Sequence, residues 1–155
     1  MRRARADGAR VRPASTMKQV PPAPLATVAN ATAVVAVFGQ FDLHDAELRA
    51  VHAGLARDGT AVLDVELALP GELALASGAA DRGAEYRVTL RCSDVTDLTL
   101  ADFLEQNVVA EYAFEMEHPA ATDGRTVHVS ITCSPGCDLE LRCRTIAVTG
   151  VQAIG

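Results

Sequence analysis

His44-Asp45-Ala46-Glu47 sets an imidazole and two carboxylates within four positions, just after an apolar run that ends at Phe38-Gly39. Side chains of these types can donate to a first-row metal ion, or work as a histidine base steadied by a carboxylate. Local geometry opposes convergence, because on a strand His44 and Asp45 point to opposite faces. A turn would bring them together, or let Asp45 cap backbone amides, and this structural role is the favoured reading. A second polar pair, Gln106-Asn107, directly precedes the apolar Val108-Val109. Amides at such a junction commonly replace lost backbone hydrogen bonds, which is the preferred reading; the rival is that they present donors and acceptors to a partner. These five residues, His44, Asp45, Glu47, Gln106 and Asn107, form the candidate binding set. The chain carries no G-x-S-x-G elbow, no H-E-x-x-H pair and no phosphate-cradling glycine loop, so no catalytic residue, metal or cofactor is expected.

The elements that position these residues read mainly as β-structure. Ala33-Val34-Val35-Ala36-Val37-Phe38 is a short apolar run closed by Gly39, consistent with a strand entering the core. From Glu47 to Leu55 a helical stripe and strand alternation both fit. The turn signal Arg57-Asp58-Gly59-Thr60, followed by alternation of Ala61, Leu63, Val65, Leu67 and Leu69, favours a hairpin over 47–69. Residues 70–84 read as a long loop, 86–92 as a half-buried strand, and 97–100 as a short extended piece. Residues 102–107 read as one or two helical turns, and Val108, Ala110, Tyr112, Phe114 and Met116 resume a period of two until His118-Pro119. After a turn at Asp123-Gly124, Val127, Val129, Ile131 and Cys133 alternate to Pro135-Gly136. Leu139, Leu141 and Cys143 form a last strand that Ile146 and Val148 continue past a bulge. The expected fold is mainly β, with α+β as the alternative: a bent antiparallel sheet or sandwich of about seven strands with one short helix.

Composition bounds the rest. A chain of 155 residues with 49% hydrophobic and 22% charged residues describes one globular domain plus extra length. The first 18 residues hold Arg2, Arg3, Arg5, Arg10, Arg12 and Lys18 against Asp7, a net of +5 that leaves −11 for the rest of a chain totalling −6. Residues 1–32 therefore read as a disordered, basic, Pro-rich tail, with Met17 as an alternative start, and 33–155 as a single β-rich domain. An acidic domain repels phosphate backbones and attracts basic partners, so nucleic acid is not expected as a ligand. Prolines interrupt both the signal a secreted chain would need and any membrane span, so a cytoplasmic protein without membrane contact is expected. Cys92, Cys133, Cys137 and Cys143 lack the spacing of zinc knuckles and read as buried reduced thiols.

Taken together, Phe38-Gly39, His44-Asp45-Ala46-Glu47, Asp102-Phe103 with Gln106-Asn107-Val108, and a closing strand carrying Cys143 before Ile146 and Val148 resemble the immunity protein 50 family of bacterial polymorphic toxin systems. The similarity spans most of residues 33–151. Where the family tends to show Tyr, Trp, Pro and Phe ahead of the histidine, this chain has Gln40-Phe41-Asp42-Leu43. What the resemblance implies is a small protein that neutralises a cognate toxin by binding it, the toxin being basic if charge complementarity guides the pair. Two other readings stand beside it: a small hydrolase-like or metal-binding enzyme using His44 and Asp45, and a structural or scaffolding module.

Overall fold

Alternating apolar and polar residues decide most of this fold, since a strand buried on one face must place every second side chain in the core. The computed structural model describes residues 26–117 and 124–155. Its strands are β1 (Val28–Ala29), β2 (Glu47–Leu55), β3 (Ala61–Pro70), β4 (Glu85–Ser93), β5 (Thr96–Ala101), β6 (Val108–Glu117), β7 (Thr126–Ser134), β8 (Asp138–Cys143) and β9 (Thr145–Ile154). They join one sheet in the order β1-β9-β4-β3-β2-β6-β7-β8-β5, antiparallel except for the β1–β9 pair. The mainly β expectation holds, with nine strands in place of about seven. The two-residue β1 carries no alternation to read, and the last strand expected to run past a bulge from Leu139 to Val148 is two strands, β8 pairing with β7 and β5 and β9 with β4 and β1.

Each alternating run buries the residues its period selects. Leu63, Val65, Leu67 and Leu69 of β3, Val88, Leu90 and Cys92 of β4, and Val127, Val129, Ile131 and Cys133 of β7 are all buried. Each fully buried leucine of this kind contributes roughly 1.5–3 kcal/mol. The hairpin over 47–69 is present, its turn closed by the Ala56 amide on the Thr60 carbonyl at 2.8 Å and by the Thr60 amide on Asp58 Oδ1 at 2.9 Å.

The sheet has a seam. Strands β2 and β6 meet only at Glu47 opposite Val108, whereas their other neighbours pair along most of their length. There the sheet bends, and its two parts, β1-β9-β4-β3-β2 and β6-β7-β8-β5, share one hydrophobic core. The Cys92 thiol of β4 donates to Cys143 of β8 across that core, and this bond, then burial, holds it above the ordinary thiol range. Phe41 meets Phe114 edge to face with centroids 6.3 Å apart. All four cysteines are buried and free. Burial foremost, with Cys137 nearby, pushes the Cys133 thiol up to about 12.

Two local expectations are corrected. Residues Thr32–Phe38 form a helix, α1, and not a strand; Val34 and Phe38, four apart, are its buried face. Its final carbonyls would be orphaned at a bare helix end. Here the Leu75, Ala79 and Ala80 amides of the long loop donate to Phe38, Ala36 and Val37 at 2.8, 3.2 and 2.8 Å. Gly39 ends the helix at φ 79°, its amide reaching the Val35 carbonyl at 2.7 Å. That left-handed turn, and the close Gly78 backbone, leave no room for a Cβ. Residues 102–107 are irregular and not helical, because the Asn107 side chain takes up both backbone groups of Leu104.

Of the tail expected over 1–32, residues 1–25 lie outside the described residues, as do His118-Pro119 and Asp123. Val28–Ala29 pair with Ile146–Ala147 of β9, so the packed chain begins N-terminal of residue 33. No helix among the described residues is long and apolar enough to cross a membrane.

Candidate functional site

The segment from Gln40 to Ala46 links α1 to β2 and is pinned by its apolar members. Phe41, Leu43 and Ala46 are buried, so the residues between them are turned outward. Asp42 shapes the turn: its Oδ1 accepts the His44 amide at 2.9 Å and the Tyr112 hydroxyl at 3.3 Å. Burial, foremost, raises the Tyr112 phenol above its ordinary value, and the Asp42 carboxylate adds to the effect. Asp45 takes a left-handed conformation at φ 65°, which aspartate tolerates better than most residues. Its amide donates to the Val109 carbonyl at 3.0 Å, and the Val109 amide returns a 2.7 Å bond to Ala46. The turn thereby stitches the start of β2 to the start of β6.

Gln106 and Asn107 approach the same seam from the other side. Asn107 is 1% exposed, the one polar residue buried in the core among the described residues. Its Oδ1 accepts the Leu104 amide at 2.9 Å, and its Nδ2 donates to the Leu104 carbonyl at 2.7 Å and to Leu48 at 3.5 Å. Its own carbonyl accepts the Leu48 amide at 2.8 Å. One side chain supplies the partners that a helix would have supplied to Leu104, which is why 102–107 closes into a side-chain-clamped loop. Asp102 enters that loop at φ 54°. Gln106 is exposed and points away from the core.

The two polar clusters distant in sequence are thus neighbours in space, joined by backbone. Their side chains divide. His44 Nδ1 lies 3.3 Å from Asp45 Oδ1, both more than half exposed, as the turn reading expects. Glu47 is held instead by Arg49 at 2.9 Å, and Arg49 also reaches Glu85 at 3.1 Å. His44, Asp45 and Glu47 do not converge on one point. Among the described residues no group of three or more His, Cys, Asp or Glu is placed to hold a metal ion. The cavity beside Gln40, Asp42, His44 and Asp45 has a volume of about 90 Å³. Small-molecule sites enclose roughly 300–1,000 Å³, so this one suits a side chain of a partner better than a substrate.

Sequence reasoning missed Asp42 as the residue that shapes the turn and assigned that role to Asp45. The signal was available, since an aspartate two residues before the capped amide is the Asx-turn spacing. Asp64 also escaped notice. On the outer face of β3 it takes a bidentate pair of bonds from Arg91 of β4 at 2.8 and 2.7 Å, and these hold its carboxyl below the usual aspartate range.

A comparison with family models matches residues 30–154 to the family described as immunity protein 50. No curated protein and no solved structure matches the chain.

Proposed function

The chain belongs to the immunity protein 50 family, and from that premise we propose that it binds and neutralises a cognate toxin protein by direct contact, without chemistry of its own. The match over residues 30–154, which takes in α1 and every strand of the sheet but β1, is the observation that carries this reading. Charge supports it. The chain has a pI near 5.1, and an acidic domain speeds capture of a basic partner by long-range attraction. The reading places the protein in the cytoplasm, where a toxin made by the same or a kin cell would act.

Of the five candidate residues, His44, Asp45 and Gln106 are exposed and free to touch the toxin, while Glu47 is paired with Arg49 of its own strand and Asn107 is buried behind the seam. Exposed polar side chains on a rigid frame lose little freedom on binding. The test is co-expression with the toxin-type domain encoded by the adjacent reading frame. Growth should be restored by this chain, and the two proteins should co-purify as a stoichiometric complex. Continued toxicity with no complex formed would end the reading.

A further inference from the structure

The exposed large hydrophobic residues are not scattered. Among the described residues there are seven, and Leu98, Leu100, Phe103, Leu104 and Val108 are five of them, all within eleven consecutive positions. Isolated exposed apolar side chains are ordinary, whereas their concentration in one patch marks an interaction surface. These five lie on β5, on the clamped loop after it and at the first residue of β6, so they share one end of the β6-β7-β8-β5 part of the sheet. Asn107 holds the loop through both polar groups of Leu104, which keeps the apolar side chains presented to solvent at little entropic cost.

Charge says what kind of surface would cover them. Between Arg91 and Arg125 the chain has eight Asp or Glu residues and no Lys or Arg. Strand register adds acids from β8 on the outer face of the same part of the sheet: Glu111 shares a row with Asp138, and Glu140 lies one row along. Arg142 there is already engaged, with Glu117 at 3.0 Å and Asp97 at 3.7 Å, and the His128 ring lies 2.7 Å from Glu140. The outer face of β3 and β4 differs, because its Asp64 and Glu66 are matched by Arg91 and Arg87. Val108, opposite Ser134, shares that outer face with Glu111, and Phe103 and Leu104 lie in the loop just before it, whereas Leu100, opposite the buried Leu139, is on the inner face; unmatched carboxylates and exposed apolar surface therefore adjoin at the start of β6.

Resting on the immunity reading, we propose that the toxin docks at this end of the outer face, its apolar centre against Phe103, Leu104 and Val108 and its basic rim against the carboxylates of β6 and β8. A second copy of this chain would set the same carboxylates against one another, and like charges brought together across an interface oppose association.

The experiment uses the toxin-type domain from the adjacent reading frame as probe, with wild type, the double variant Phe103→Ser/Leu104→Ser, and Leu55→Ser as control. Leu55 is 74% exposed at the tip of the β2–β3 hairpin, on the other part of the sheet. Circular dichroism melts should show all three folded, because every altered side chain is exposed. Affinity should fall by about 30-fold or more in the double variant, the effect of losing central apolar anchors, and stay within about 2-fold in the control. Hydrogen exchange in the complex should slow in residues 98–117 and not in 47–55. Equal affinities with protection elsewhere would overturn this surface and leave the immunity reading standing. Absence of binding by wild type would remove both. Concentration-dependent dimerisation of the free chain, abolished by the double variant, would assign the patch to a second copy and overturn the proposal.

Discussion

Asn107 and His44 stand a few residues from the same seam and differ in everything that matters energetically. Asn107 is sealed from water with four backbone bonds depending on it, three through its amide and one through its carbonyl. Asn107→Ala strips the amide and strands the Leu104 polar groups. It should cost about 1–3 kcal/mol, read as a lower urea midpoint with unchanged slope. His44 meets only Asp45, and both side chains face solvent. His44→Ala should therefore shift stability by less than about 0.5 kcal/mol. If removing His44 proved as damaging as removing Asn107, the turn would depend on the imidazole and not on Asp42.

Paired strands carry their own pH response. The Asp64–Arg91 pair joins β3 to β4 on the outer face, and its hydrogen bonds lower the Asp64 pKa in the folded state. A carboxylate with a depressed folded value stabilises the fold above its unfolded value, near 3.9 for aspartate, and the contribution fades as pH falls through the folded value. Thermal melts of wild type and Asp64→Asn should thus differ fully above the unfolded aspartate value and converge as pH falls below the depressed folded one. A gap that stayed constant over that range would mean the pair contributes through packing alone. Helix α1 shows the opposite dependence at this scale, since its last turn is completed by amides from the 75–80 loop and not by any neighbour in sequence.

For the whole molecule the relevant quantity is the placement of charge. With a net of −6 over the chain and the unmatched carboxylates gathered on β6 and β8, association with a basic toxin should be steered over long range. Raising salt from about 0.01 M to about 1 M shrinks the screening length from about 30 Å to about 3 Å. Stopped-flow mixing should show the association rate falling by about 10–100-fold over that range, with dissociation changing far less. A salt-independent association rate would remove electrostatic capture from the account. The apolar patch at Phe103 and Leu104 acts after encounter, by setting how long the complex lasts.

The residues alone determined the period-two strands, the Asp58-Gly59 hairpin and the buried reduced cysteines, because each follows from neighbours a few positions away. The family was legible for a similar reason, its marks being two short polar elements set in a hydrophobic pattern. Only the tertiary structure decided that Thr32–Phe38 coils, that 102–107 does not, and that the two polar clusters meet at a seam. A six-residue apolar run has no period to separate helix from buried strand. What settled it was where the unpaired backbone groups found partners: the Phe38 carbonyl on Leu75, and Leu48 on an asparagine 59 positions away. Such partners are fixed by how the chain packs, and packing depends on contacts between segments that no local pattern encodes.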